Sequence, residues 1–232
     1  MSTPATDGAG LFGPADPSAA VSDLLGLMAC GELMAFERLA HDATLAPSME
    51  DKAELARMAV AEFNHFVLLR ARLADLGVDP GAAMAPFVGP LTEFHQRTAA
   101  GNWLEGLVKA FVGDGLAADF YREIAEHLDH STRDLVRGVL DDTGHSAFAV
   151  DRVRAAIAAD PRVAGPLALW GRRLVGEALT QAQHVAAERE GLTALVIGGV
   201  DGSGFDLNEI GRMLTRLTDA HSARMAALGL ES

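Results

Sequence analysis

The sequence has little cysteine, few aromatic residues and no long run of uncharged apolar residues. Its single cysteine, Cys30, excludes an internal disulfide and favours a reducing compartment. Aromatic residues make up only 6% of the chain, so Ala, Leu and Val supply most of its apolar surface, which favours helices over a β-sandwich. No stretch reaches the roughly 18 uncharged apolar residues that span a bilayer, and residues 1–15 do not resemble a signal peptide. We therefore expect a cytoplasmic protein without a membrane span.

Positive charge is also scarce. The 19 Lys and Arg residues face 32 Asp and Glu residues, and the net charge is −13. Non-specific binding to DNA or RNA needs a cationic face that displaces counterions, so this composition argues against it. Two arginine pairs could form a local basic patch, but ordinary surface charge explains them better. These pairs are Arg172 with Arg173 and Arg152 with Arg154.

Capping residues and apolar periodicity predict an all-α protein. We expect a disordered tail over residues 1–16 and one helical domain over residues 17–230. Within it, the sequence predicts a four-helix bundle followed by two additional C-terminal helices. The predicted helices cover about residues 16–46, 48–76, 102–127, 131–159, 167–190 and 206–229. Residues 78–101 contain three prolines and are predicted to form a long connection, either a crossover or a mobile lid.

Each of the first four predicted helices has an apolar stripe with one acid near its middle. These acids are Glu32, Glu62, Asp114 and Asp142. Two of them have a histidine three residues further on, His65 and His145, and this spacing puts both side chains on the same helix face. Eight histidines and 32 acids in 232 residues would give about one such pair by chance, so the register of the acids is the stronger argument.

The depth of the acids in the predicted bundle agrees with their register. Glu32 and Glu62 lie 15 residues on either side of Pro47, the predicted turn between the first two helices. At 1.5 Å per residue, both acids would lie on the order of 20 Å from that turn. Asp114 and Asp142 are centred on Leu128 in the same way. The sequence therefore predicts four acids in one layer of the bundle.

Four buried carboxylates at one level repel one another and must take up protons or cations. Two divalent metal ions would satisfy them, with Glu62 or Asp142 as a bridging ligand and one imidazole from each histidine. The alternative is a set of polar residues that line a water-filled seam.

Four segments around these residues carry a family resemblance. They are Cys30–Glu32, Glu62–His65, Asp114–Tyr121 and Asp142–His145. Over about residues 20–160 the chain resembles the ferritin-like di-iron superfamily, and within it the tRNA hydroxylases that act on 2-methylthio-isopentenyl-adenosine.

This resemblance implies a ferritin-like bundle that holds two iron ions, with manganese as an alternative. The ligands would be Glu32, Glu62, His65, Asp114, Asp142 and His145. The implied function is a non-haem di-iron oxidoreductase that hydroxylates the isopentenyl group of a modified tRNA adenosine. Phe66, Phe111 and Ala118 would line its substrate pocket.

Two other functions fit the sequence. Members of the resembled family generally carry glutamate at the positions of Asp114 and Asp142, and the shorter aspartate favours a degenerate scaffold with partial or no metal that binds a partner or an apolar ligand. The acidic surface favours a small-molecule oxidase or peroxidase. The expected partners are a modified tRNA or a small apolar substrate and an unidentified electron donor, with a homodimer as the default assembly.

Overall fold

The computed structural model describes residues 17–141, 145–189, 191–193, 195 and 207–231. This part of the chain is helical and contains no strand, as the composition predicted. Its α-helices are α1 (Pro17–Asp42), α2 (Met49–Asp75), α3 (Pro80–Arg97), α4 (Trp103–Lys109), α5 (Gly115–Ala125), α6 (His130–Val139), α7 (His145–Ala159), α8 (Ala164–Glu188) and α9 (Leu207–Ala227). A π-helical segment, Ala110–Asp114, joins α4 to α5, and two 3-10 turns cover Ala43–Leu45 and Pro161–Val163.

Several helix ends follow the predicted caps. Ser48 accepts a hydrogen bond from the backbone N–H of Asp51 at the start of α2, and Asn102 accepts one from Glu105 at the start of α4. Such caps stabilise a helix by about 1 kcal/mol each. Gly77 follows α2 with a φ of 74°, a left-handed conformation that glycine adopts without strain. The predicted tail, residues 1–16, and the predicted cap Asp206 lie outside the described residues.

The prediction of a long connection over residues 78–101 is wrong, because most of this segment forms α3. Asp79 caps the helix by accepting a hydrogen bond from Ala82, and Pro80 lies in its first turn, where proline is well tolerated. Pro86 and Pro90 lie inside the helix, where each costs about 3 kcal/mol relative to alanine. The local conformational preference of these prolines therefore predicts a break in the helix.

Packing against α1 explains why α3 forms despite its prolines. Phe87 is completely buried in the core. Gly26 of α1 lies so close to α3 that a Cβ atom at this position would be 2.3 Å from the carbonyl oxygen of Ala83. Burial of a large apolar side chain contributes about 1.5–3 kcal/mol, so a few such contacts offset the proline cost.

The predicted fourth helix, residues 131–159, is divided into α6 and α7. Its predicted cap, Ser131, is also wrong: Asp129 caps α6, with one carboxylate oxygen accepting from the backbone N–H of Thr132 and from the hydroxyl of Ser131. Because a carboxylate accepts hydrogen bonds more strongly than a hydroxyl, the cap lies two residues earlier than predicted.

The helices pack as a four-helix bundle with additional helices on its outside. The bundle consists of α1, α2, the α4–α5 pair with its π segment, and the α6–α7 pair, with α1 and α2 in extensive contact along their lengths. Helices α3 and α8 cover one side and α9 packs on α5. The two predicted C-terminal helices are therefore present as α8 and α9, and α3 is a third addition.

Two separate hydrophobic cores fill this bundle. On α1, Leu25 and Met28 belong to one core and Leu39 to the other; on α2, Leu55 belongs to the second core and Leu69 to the first. In the third bundle helix, the buried hydrophobic residues of α4 belong to the second core and those of α5 to the first. Between the cores lies a layer of polar residues, which is the layer that the sequence predicted for the acids.

Helix α1 is long and apolar enough to cross a membrane by length and composition. The segment Ser18–Leu45 contains a window of mean hydropathy 1.5, and 44% of that window is buried inside the protein. Leu24, Leu25 and Leu39 are completely buried against neighbouring helices. The apolar residues of α1 therefore belong to the interior of the bundle.

Candidate metal centre

Three of the predicted ligands meet in the polar layer between the two cores. The Nδ1 atom of His65 lies 3.5 Å from the Oε2 atom of Glu32 and 3.5 Å from the Oε2 atom of Glu62. One potential ligand atom from each of the three side chains lies within 4.8 Å of the others. Glu32 comes from α1 and the other two from α2, so the equal depth predicted from the turn at Pro47 is confirmed for this pair of helices.

Burial and mutual hydrogen bonding shift the pKa of each group in this cluster. Burial and the neighbouring Glu62 raise the pKa of Glu32 well above its usual value. Burial acts in the same direction on Glu62, but hydrogen bonds with Glu32 and His65 outweigh it and hold its pKa at about 2. Hydrogen bonds to both acids raise the pKa of His65 to about 9. Near neutral pH, a positive charge on His65 therefore faces ionised Glu62, and the raised pKa of Glu32 favours a proton on that carboxyl.

Asp114 reaches the same layer from the third bundle helix, where it is paired with Arg38. The Nη2 atom of Arg38 donates to both carboxylate oxygens of Asp114, at 3.2 Å each. Burial raises the pKa of Asp114 to about 6, although the positive charge of Arg38 opposes this shift. The structure thus brings Asp114 beside the cluster but gives it a guanidinium as its partner.

Sequence reasoning missed Arg38 because this residue lies beside the apolar stripe of α1, and only its long side chain reaches inwards. A signal was present in the sequence. Arg38 precedes Asp42 by four residues, a spacing that favours an ion pair on one helix face. Both side chains are less than 10% exposed, which is rare for charged residues that lack a partner.

A buried lysine adds to the positive charge near this layer. Lys109, the last residue of α4, is 3% exposed, and its Nζ atom donates to the carbonyl oxygen of Thr98 at 2.7 Å. Burial and the charge of Arg38 lower its pKa to about 7, while Asp42 and Asp114 oppose the shift. Lys109 was not predicted as a functional residue.

The π-helical segment positions Asp114. It covers Ala110–Asp114, and Asp114 is its last residue. A π turn inserts one extra residue into a helix and shifts the side chains that follow, and such turns occur frequently at functional sites. The regular helical spacing of the stripe predicted for residues 102–127 did not indicate a π-helical segment.

A cavity of about 300 Å³ opens beside the carboxylates. This is the lower end of the volume range of small-molecule sites. Its polar lining residues are Glu32, Glu62, His65, Asp114, Asp119, Arg122, Asp141, Ser146 and Arg224. The apolar wall consists of Met58, Ala110, Phe111, Ala118, Val139, Leu140 and Ala149. Phe111 and Ala118, which were predicted to line a substrate pocket, line this cavity, whereas Phe66 lies in a hydrophobic core.

The remaining two predicted ligands are only partly covered by the described residues. Asp142 lies outside them, and for His145 only the backbone is described, as the first residue of α7. The flanking residues Val139 and Ala149 belong to different hydrophobic cores.

The donor set of the cluster fits a divalent metal ion. Two carboxylates and an imidazole are ligands that iron, manganese and zinc accept. The three groups converge within 4.8 Å, and a cavity leaves room for further ligands. A bound cation would oppose the raised pKa of Glu32, because it would stabilise the ionised form of this carboxyl.

Comparison with known proteins agrees with this fold. Residues 16–199 match the family described as "Ferritin-like domain, actinomycetes", and the chain belongs to this family. A solved structure, "Protein 19 with aldehyde deformylating oxidase activity from Synechococcus", is similar with a TM-score of 0.71 and 20% sequence identity. The similarity covers 94% of this chain and 93% of that one and supports the ferritin-like fold. A search of curated proteins gives no match.

Proposed function

We propose that the protein is a non-haem metal-dependent oxidoreductase whose buried carboxylate and histidine cluster holds two iron ions, with manganese as the alternative. One observation carries this proposal: Glu32, Glu62 and His65 converge in a buried layer that opens onto a cavity. The ferritin-like family and the similar solved structure support an oxidase-type scaffold.

In this proposal, Glu32, Glu62 and His65 form one half of the site and Asp114, Asp142 and His145 form the other. The cavity beside Asp114 and the spacing of Asp142 and His145 in the sequence support this assignment. Bound iron would supply the activation of dioxygen. The protein's own contribution begins with the protons on Glu32 and on Nδ1 of His65, which must leave before these atoms can bind a metal ion.

The cavity favours a small, largely apolar substrate. Its lining includes Met58, Phe111, Val139 and Leu140, and its volume is about 300 Å³. The net charge of −13 weighs against a tRNA substrate, because RNA-binding surfaces are cationic. Hydroxylation of a modified tRNA adenosine therefore stays a prediction from sequence resemblance alone. The electron donor, the homodimer and the cytoplasmic location are also predictions from the sequence.

The ion pair of Arg38 with Asp114 favours a second candidate function. A guanidinium can replace a metal ion as the counter-charge of a carboxylate, so the protein could be a scaffold with one metal ion or none that binds an apolar ligand in the cavity. The metal content of the protein separates the two functions.

The decisive experiment is elemental analysis of protein purified from iron-supplemented cells, with the variants Glu62→Ala and His65→Ala. We expect about two metal ions per chain in the parent and a loss of at least one in each variant. Glu37→Ala is the matched control, since Glu37 is an exposed acid on α1 that lies outside the layer. A parent that binds no metal after anaerobic reconstitution would rule out the oxidoreductase and support the scaffold.

A further inference from the structure

Arg38 has two acidic partners, but its hydrogen bonds reach only one of them. Its Nη2 atom donates to Asp114, whereas its Nη1 atom lies 3.7 Å from Oδ2 of Asp42, beyond hydrogen-bond distance. Among the described residues, the buried Nε and Nη1 atoms of Arg38 have no hydrogen-bond partner, and the same is true of Oδ2 of Asp42. Buried donors and an acceptor thus face each other across a gap slightly too wide for a hydrogen bond.

The position of Asp42 is fixed by its surroundings. Asp42 is the last residue of α1 and is 4% exposed. It lies against Gly106 of α4, where a Cβ atom would be 3.2 Å from the unpaired Oδ2 atom. The absence of a side chain at position 106 therefore leaves room for this carboxylate. A small shift of Arg38 would give Oδ2 a partner without moving either backbone.

A metal ion that binds Asp114 competes with Arg38 for its carboxylate oxygens. Both are cations, and Nη2 of Arg38 already lies 3.2 Å from each oxygen of Asp114. A metal ion bound to either oxygen would lie within a few ångströms of the guanidinium, which is only 9% exposed, and like charges at that separation repel. A metal ion that binds both oxygens of Asp114 would displace Arg38 from them.

We propose that Arg38 is a positioning residue with two alternative partners: it pairs with Asp114 in the metal-free protein and moves to Asp42 when a metal ion binds Asp114. This inference rests on the proposed metal site. Arg38 acts as a built-in competitor that lowers metal affinity at the Asp114 end relative to the Glu32, Glu62 and His65 end. Asp42 limits this competition because it gives the displaced guanidinium a buried partner.

Anaerobic titration with Mn²⁺, followed by calorimetry and by electron paramagnetic resonance, tests the inference in the full-length protein. We expect two sites of unequal affinity in the parent. Because changes beside a metal ligand typically alter affinity by about 10- to 100-fold, Arg38→Met should tighten the weaker site at least about tenfold. Asp42→Asn should weaken the same site to a similar degree. The stronger site should change less than about threefold in both variants.

Two further variants guard against indirect effects. Gly106→Ala leaves both charges in place but crowds Oδ2 of Asp42, so it should weaken the second site in the same direction as Asp42→Asn. It also decides the outcome if Asp42→Asn fails to fold. Arg57→Met is the matched control for loss of an arginine, because Arg57 lies on the surface and pairs with Glu54. This control should bind Mn²⁺ as the parent does.

The outcomes separate failure of this inference from failure of the proposed function. If the parent binds no Mn²⁺ and is indistinguishable from Glu62→Ala, the proposed metal site is wrong and the inference fails with it. A parent that binds Mn²⁺ while Arg38→Met and Asp42→Asn leave the weaker site unchanged, or shift it in the same direction, overturns the inference alone. One bound ion in the parent and two in Arg38→Met would support it.

Discussion

One nitrogen of Arg38, Nη2, lies at the same distance, 3.2 Å, from both carboxylate oxygens of Asp114. The guanidinium comes from the first bundle helix and the carboxylate from the third, so the pair spans the polar layer. In the same layer, protonated His65 pairs with ionised Glu62. The two halves of the candidate site are therefore neutralised by different means, and this difference makes them separable by experiment.

Metal affinity should rise with pH. Hydrogen bonds to two acids raise the pKa of His65 to about 9, so below that pH the imidazole must lose a proton when a metal ion binds. Between about pH 7 and pH 9, the affinity of the stronger Mn²⁺ site should increase by at least roughly tenfold per pH unit, with a steeper rise where Glu32 also releases a proton, and then level off. Anaerobic calorimetry at several pH values in buffers of different ionisation enthalpy measures both the affinity and the protons released. A flat profile with no proton release would contradict this account.

The metal-free protein should show the opposite dependence on pH. Because the pKa of His65 is raised on folding, its contribution to the free energy of unfolding is fully present below about pH 6.5 and is lost as the pH rises through about 9. His65→Gln should remove this loss. His184→Gln is the control, since His184 is exposed on α8, and it should keep the slope of the parent. Urea denaturation of chelator-treated protein between pH 6 and pH 10 gives the comparison.

Glu32 and Glu62 should respond differently to replacement by glutamine. The raised pKa of Glu32 favours its protonated form, which the neutral amide of Glu32→Gln resembles, so this variant should destabilise the metal-free protein less than Glu62→Gln. Glu62→Gln removes the negative charge that pairs with protonated His65, and should destabilise the metal-free protein by about 1–3 kcal/mol. Both variants should lose metal. Equal destabilisation of the metal-free protein by both would refute the assigned protonation states.

Two glycines on α1 give a matched test of how α3 packs. At Gly26 a Cβ atom would be 2.3 Å from the backbone carbonyl oxygen of Ala83, whereas at Gly31 nothing lies within 4 Å. Gly26→Ala should therefore destabilise the protein by about 1–3 kcal/mol. Gly31→Ala should have no such cost and could stabilise α1 by up to about 1 kcal/mol. Thermal unfolding of both variants measures this difference. A Gly26→Ala protein as stable as the parent would mean that α3 does not pack at this position.

Filling the cavity should separate substrate access from metal binding. Ala118 lines the cavity, and its neighbour Ala117 is exposed. Ala118→Phe should keep the metal content of the parent but reduce substrate-dependent oxygen consumption at least about tenfold, because the ring would occupy space needed by the substrate. Ala117→Phe should behave as the parent does. Loss of metal in Ala118→Phe alone would show instead that the residue supports the ligands.

The sequence predicted the parts of the structure that depend on local or regular signals. The all-helical class, the caps at Ser48 and Asn102, and the meeting of Glu32 with Glu62 all follow from residue spacing along single helices and from a constant rise per residue. These features do not depend on which other helices pack nearby.

The features that the sequence did not predict depend on tertiary contacts. The prolines of α3 oppose a helix locally, and the helix forms because Phe87 is buried and α3 packs closely on α1 at Gly26. Arg38 was missed for a related reason. An arginine beside an apolar stripe is usually a surface residue, and only the position of Asp114 on another helix explains why this one is buried.

The division of the interior into two hydrophobic cores has a consequence for how this protein could change over evolutionary time. Each bundle helix is anchored on both sides of the polar layer, so residues within the layer can be exchanged without removing apolar contacts from either core. Substitutions in the layer and in the cores should therefore affect stability almost additively. Such an architecture lets a lineage alter or lose its chemistry while keeping its fold.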